Sequence, residues 1–536
     1  MILAVVLLFS PVMAGAETLI AAVPHEPVSL DPHKTQDPAA WTYIYPCYQR
    51  LVRFKGNTTA VEPELAQTWR VSEDRLLYTF ALPQDLIFSD GHPVTADAIG
   101  KSFVRLVKEG IGRSYFPYLT GVDVIGPHTV RFILSRPTPD FLTALASAPA
   151  SIVSPGVMEH DANYLDRHTL GSGPFELEEW NPGRDIVLKN HGRDIGSANV
   201  EQFQAIFEPG GRKRLEMLQN GLVDMALDLD LEAFDALEVD QKYQAYQSLT
   251  FRLGVLVFNC KSSKFGSKGP RQAVAKAVDT RVWDYIMGRS TEAMSGPLPE
   301  GMPGKRMPSE RLQYDIETAR TALKEQRLIG SPVRLLYDSN QWPLSEAEFL
   351  RNNLAEAGMT VQMTGLATAA FNQSLANGDF DLALTVFQPR IAAALPYFQD
   401  LFASAPFGQT NNPAFYQDKE MDALLEQAWN APDEAGRNDL LIRMQEKAAL
   451  DLPYLFLFQR RTFAGLRQNI RGFGQHPQIP DAPAISRIIF RKVKPPKPEV
   501  KAPTPPEKPS LPLPQEPTSG ETPQAKEPVQ TEESPK

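Results

Sequence analysis

The 536-residue chain predicts an α/β body of several folded units, followed by a proline-rich stretch that builds no core. Two observations carry this reading. Strand-like and helix-like patterns alternate along the body, which is the rhythm of βαβ units. At roughly 150 residues per domain, the length makes room for about three to four units. The composition, 42% hydrophobic and 22% charged, is that of a water-soluble globular protein. The net charge of -10 supplies none of the basic field that a phosphate backbone requires, so nucleic acid is not expected as a partner.

The elements follow in order. Residues 2–9 form an apolar run too short to span a bilayer, and Ala14-Gly15-Ala16 then gives an A-x-A cleavage pattern before Glu17. Residues 1–16 are therefore expected to be a secretory signal, although no Lys or Arg precedes Lys34, and no Cys stands there to accept a lipid. Residues 75–82 are rich in β-formers and read as a strand. Thr95 is placed to cap a helix running to about residue 107. Residues 122–125 and 130–134, joined through Gly126-Pro127-His128-Thr129, read as a hairpin. Further on, 333–337 is a strand, 346–356 a helix, 361–364 a strand and 381–387 another. Residues 494–536 hold 13 of the 47 prolines and no aromatic residue. That composition favours polyproline II, so removing the tail is expected to leave stability and binding unchanged.

Signatures of covalent or phosphoryl-transfer chemistry are absent: there is no GxSxG, SxxK, HExxH or GxxxxGK. His25 and His33 bracket Glu26 and Asp31, and His160 and His168 bracket Asp161 and Asp166. Their spacing matches no usual metal site, and they are expected to be surface residues. Leu170-Gly171-Ser172-Gly173-Pro174 could cradle an anion, but reads more simply as a tight turn into a strand. Cys47 and Cys260 form no CxxC or Cys/His cluster.

An ordered set of segments carries a resemblance. His25-Glu26-Pro27-Val28-Ser29-Leu30-Asp31-Pro32 is followed by Pro63-Glu64-Leu65-Ala66-Gln67-Thr68-Trp69 with Ser72-Glu73-Asp74, and then by Phe88-Ser89-Asp90-Gly91-His92-Pro93-Val94-Thr95-Ala96-Asp97. Gly171-Ser172-Gly173-Pro174-Phe175, Gly221-Leu222-Val223-Asp224-Met225-Ala226, Phe258-Asn259 and Arg271-Gln272-Ala273-Val274-Ala275-Lys276-Ala277-Val278-Asp279 come next, and Tyr314-Asp315 with Ala319 and Leu323 close the series. In this order they resemble the family 5 solute-binding proteins, the oligopeptide- and dipeptide-binding components of ABC importers, over about residues 18–490. Read physically, each segment is scaffold: Trp69 and Phe80 are expected core, and Asp97 suits a first helical turn.

The resemblance implies a two-lobed periplasmic-binding-protein clam with an inserted subdomain in lobe I. Lobe I is expected at 17–50, 170–252 and 462–493, the inserted subdomain at 51–169 and lobe II at 253–461, with hinge strands near Phe258 and Phe463. It implies a monomeric periplasmic protein that closes on a peptide or peptide-like solute and delivers it to an ABC permease and ATPase, without catalysis, metal or cofactor. A sensor or scaffold using the same closure and an envelope hydrolase are the alternatives. In an oxidising compartment Cys47 and Cys260 could pair. Ligand contacts are expected at Glu26, Ser29, Phe387, Gln388 and Arg390. After the strand Asp379-Phe380-Asp381-Leu382-Ala383-Leu384, the peptide binders carry an aspartate that pairs with the ligand's ammonium group, whereas here a gap-free reading puts Arg390. An Arg at that point suits an anionic or N-blocked solute rather than a free amino terminus.

Overall fold

The computed structural model describes residues 18–192, 200–309, 312–405 and 411–490. The expected leader and the proline-rich tail lie outside them. Among the described residues eleven strands form one sheet, and its two middle strands join everything else. These are Tyr243–Phe258 and Tyr454–Arg467, antiparallel from Tyr243 opposite Arg467 to Val257 opposite Tyr454. Their register shifts between Leu249 and Leu253. Up to Ser248 the first strand is half-buried, and from Thr250 it is almost wholly buried, so one strand passes through two environments.

On one side of this pair lie Met225–Leu227, Thr18–Val23, Gln202–Phe207, Asp185–Asn190 and Phe175–Asn181. On the other lie Leu382–Phe387, Pro332–Asp338 and Thr360–Leu366. Thr18–Val23 runs parallel to both of its neighbours, and so does Pro332–Asp338. Each side is thus an α/β unit with parallel strands at its heart, and the long antiparallel pair links the two. The second strands and helices appear as the sequence predicts: Pro332–Asp338, the Leu344–Glu356 helix, Thr360–Leu366 and Leu382–Phe387.

A separate four-stranded antiparallel sheet, in the order Thr68–Val71, Leu77–Ala81, Thr129–Leu134, Leu119–Gly126, is the inserted subdomain. The helix Ala96–Glu109 packs on it through Ile99, Phe103 and Leu106, and the Thr95 side chain accepts from the Ala98 amide as expected. Phe80, Phe103 and Phe132 meet edge-on, with centroids 4.7 to 5.6 Å apart. The strand expected from residue 75 starts only at Leu77, because Arg75 takes a left-handed φ of 57° in the turn closed by Ser72 and Asp74. Phe80 is core, but Trp69 is only half-buried because its strand is the sheet's edge.

Two expectations are corrected. Cys47 and Cys260 are free thiols. Cys47 is buried with Tyr43, Ile44 and Tyr48, while Cys260 packs against a different hydrophobic cluster, so the two cannot meet. Asp31 and His33 are not surface residues. Both are buried, Arg105 grips Asp31 at 2.6 and 2.9 Å, and the His33 ring bonds the Ser151 carbonyl at 3.0 Å. Burial, with Arg105 alongside, pushes the His33 pKa down to about 4, so it is neutral at physiological pH. The glycine-rich segment is the tight turn into a strand that the sequence suggests: Gly173 donates to the Cys47 carbonyl at 3.0 Å, a Cβ at Gly171 or Gly173 would collide with backbone at Pro46 and Cys47, and the strand starts at Phe175. Among the described residues no helix is long and apolar enough to cross a membrane.

Candidate functional site

Because Thr18–Val23 and Met225–Leu227 run side by side and parallel, their C-terminal ends open together at the junction with the long strand pair. Open parallel sheets offer ligands their carboxyl edge. A cavity of about 200 Å³ lies there, reached by His25, Tyr43, Asp228, Arg252 and Asp481. Tyr43 comes from the helix Pro38–Cys47, whose N-cap is Asp37. Among the described residues its buried hydroxyl has no hydrogen-bond partner. Asp228 follows the strand end with a left-handed φ of 51°, and buried Arg214 holds its carbonyl oxygen. Among the described residues its carboxylate makes no hydrogen bond, so it is left to face the cavity.

Arg252 sits on the first long strand within the register shift and pairs with Asp481. Burial works against its charge, but Asp481 and Asp228 hold its pKa above the usual guanidinium value. Arg460, on the second long strand, is close enough to Arg252 and Asp228 to feel both charges. Its guanidinium lies 5.7 Å from the rings of Trp342 and Phe458, donates to the Gln341 carbonyl at 3.1 Å, and has Glu346 only at 3.9 Å. Its Nε is buried without a partner. Burial lowers the Arg460 pKa, and it raises that of Glu346 to about 7 against the pull of Arg460. The cavity is thus lined, among the described residues, by an unbonded carboxylate, the Arg252 guanidinium and a hydroxyl without a partner, and the charge of Arg460 lies close to the first two. Such a set can take a ligand bearing both signs of charge.

The five expected contact residues are distributed otherwise. Glu26 accepts from Trp180 Nε1 at 2.6 Å and from the Gly183 amide at 2.9 Å, and so ties down a hairpin. Ser29 donates to Asp166 at 2.6 Å. Phe387 packs edge-on against Tyr397, with centroids 5.6 Å apart. Gln388 alone touches the cavity wall, accepting from Arg252 at 3.4 Å while donating to the Gln478 carbonyl at 2.7 Å. Arg390 is gripped by Asp400 through two nitrogens and faces a separate cavity of about 60 Å³ beside Tyr115. It is neither solvent-directed nor a bare cation in the cleft. Asp228 and Arg460 escaped the sequence reading; the only available signal was the end of the GLVDMA segment, where a strand breaks into Leu227-Asp228. Another cavity, of about 590 Å³, lies beside the Ala96–Glu109 helix among Val104, Val124 and Met158.

Two α/β lobes linked by a strand pair, with a polar cavity at the junction, define a solute-binding protein of the clam type. Comparisons with known proteins agree. The chain belongs to the bacterial extracellular solute-binding proteins, family 5, whose model matches residues 60–409. It is 31% identical to the probable D,D-dipeptide-binding periplasmic protein DdpA of Escherichia coli K12, over 86% of this chain and 92% of that one. Among solved structures it resembles the periplasmic binding protein DppA of Helicobacter pylori in complex with the peptide STSA, with a TM-score of 0.77 and 22% identity over 89% of this chain and 98% of that one. It also resembles AgaA of A. tumefaciens R10 in complex with agropinic acid, with a TM-score of 0.78 and 22% identity over 89% of this chain and 99% of that one.

Proposed function

We propose that the protein captures a small peptide-like zwitterion between its lobes and hands it to an ABC permease, acting as a monomer in the periplasm after removal of residues 1–16. The observation that carries this reading is a cavity lined by Asp228 and Arg252 at the edge of the long strand pair, with Arg460 of the second long strand near enough for its charge to act on both. The carboxylate suits a ligand ammonium group, and the guanidinium groups suit a ligand carboxylate. With Arg390 neutralised by Asp400, the ground for expecting a blocked amino terminus falls away. The relatives support the class: one is named for D,D-dipeptides, and two of the solved structures hold a peptide and agropinic acid.

We draw the lobe division at the register shift between Leu249 and Leu253, with lobe I at 17–50, 170–252 and 462–493, the subdomain at 51–169 and lobe II at 253–461. Capture then needs no chemistry, because a ligand that favours the closed form by about 5.5 kcal/mol converts a 1:99 population to 99:1. Native mass spectrometry on protein isolated from its own envelope tests the proposal. A co-purifying peptide-like mass is expected; a purely anionic compound such as a sugar phosphate would overturn it.

A further inference from the structure

A second contact between the inserted subdomain and lobe II lies away from the ligand cavity. Arg136, just beyond the strand Thr129–Leu134, donates through both terminal nitrogens to Glu426 at 3.0 and 3.2 Å. Its guanidinium also lies 5.2 Å from the centre of the Tyr118 ring and 5.8 Å from that of Trp429, and these two rings meet edge-on at 5.6 Å. Glu426 and Trp429 stand three residues apart on the helix Lys419–Trp429 and so share a face. Both are held from behind: Asn430 donates to Glu426 at 2.8 Å, and Trp429 donates to Gln399 at 3.1 Å. Beside them Arg75 of the subdomain donates to the Ala431 carbonyl at 2.8 Å.

An ordinary exposed ion pair contributes little. This one is bidentate, ends on a planar guanidinium that also meets two aromatic rings, and joins segments 290 residues apart. None of its members lines the junction cavity. We infer that Arg136, Glu426, Tyr118 and Trp429 form a latch that holds the inserted subdomain to lobe II independently of ligand. Arg136 and Glu426 are then positioning residues for capture: they set how much of the protein is already joined when the solute arrives. This rests on the proposed capture by closure, since only in a closing protein does the joined population govern affinity.

The test uses the full chain without ligand, in a Cys260→Ser background, with spin labels at exposed positions Val124 and Glu434 on the two sides of the latch. Arg136→Ala and Glu426→Ala should each lengthen and broaden the measured distance distribution, and the double exchange Arg136→Glu with Glu426→Arg should restore it in part, because the ion pair re-forms while a carboxylate at 136 cannot meet the two rings. Rescue by the exchange is a result that a merely structural role would not produce. Where wild type binds an unmodified dipeptide, Arg136→Ala should weaken that binding about fivefold, the size of a combined cation–ring and bidentate ion-pair contact. Distances unchanged in both single variants would overturn the latch. If Arg136→Ala does not fold, Glu426→Gln, which keeps shape and removes charge, must give the lengthened distance or the inference fails. Because the distances are read without ligand, a wild type that binds no dipeptide would sink the ligand class and leave the latch standing.

Discussion

Arg390 and Arg460 are both partly buried arginines, and they have opposite surroundings. Arg390 has a dedicated carboxylate: Asp400 is 5% exposed, meets two guanidinium nitrogens, and Asn411 adds a third contact. Arg460 has a carbonyl, two ring faces and an acid at 3.9 Å whose own burial keeps its pKa near 7. A pair that satisfies itself holds the fold, whereas a charge left underpaired close to a cavity is available to a ligand. Substitutions at the two sites should therefore separate stability from binding.

The largest effect is expected at the satisfied pair. Arg390→Ala strands Asp400 in the interior and should cost about 3 kcal/mol of stability, the lower end for breaking a buried pair, read by urea unfolding. Dipeptide affinity of the folded fraction should stay within about twofold of wild type. Arg460→Ala should do the reverse. Titration calorimetry should show ligand binding weakened by about 1.5–3 kcal/mol, the range for a charged hydrogen bond, with a much smaller change in unfolding.

A smaller effect concerns pH. The folded pKa of Glu346 is raised from 4.5 to about 7, so its contribution to stability is complete below the unfolded value and is lost as pH rises through about 7. Wild type should lose melting temperature between about pH 5 and pH 8 relative to Glu346→Gln, which has no proton to lose there. A difference that is flat across that window would show that burial does not govern Glu346.

Much of the fold was legible because it rests on local chemistry. Thr95 caps its helix, Pro127-His128 turns its hairpin, and alternation marks the strands around residues 332–387. The site was less legible because it rests on long-range pairing. Nothing local to Asp31-Pro32-His33 announces that Arg105 will draw them into the interior. Nothing near Arg390 reveals that Asp400, ten residues on, turns back as its partner. Likewise, Asp228 and Arg460 are 232 positions apart, and only the joining of the Met225–Leu227 and Tyr454–Arg467 strands brings them within reach of each other's charge. Composition and periodicity report which face is apolar, but not which charge remains without a partner after folding.

The central claim is that Asp228 receives a ligand's ammonium group. Titration calorimetry of a free dipeptide and its N-acetylated form, on wild type and Asp228→Asn, tests it most directly. Wild type should bind the free dipeptide more tightly by about 1.5–3 kcal/mol, and Asp228→Asn should lose most of that preference. Equal binding of the two forms by wild type, or a preference that survives the substitution, would contradict the account.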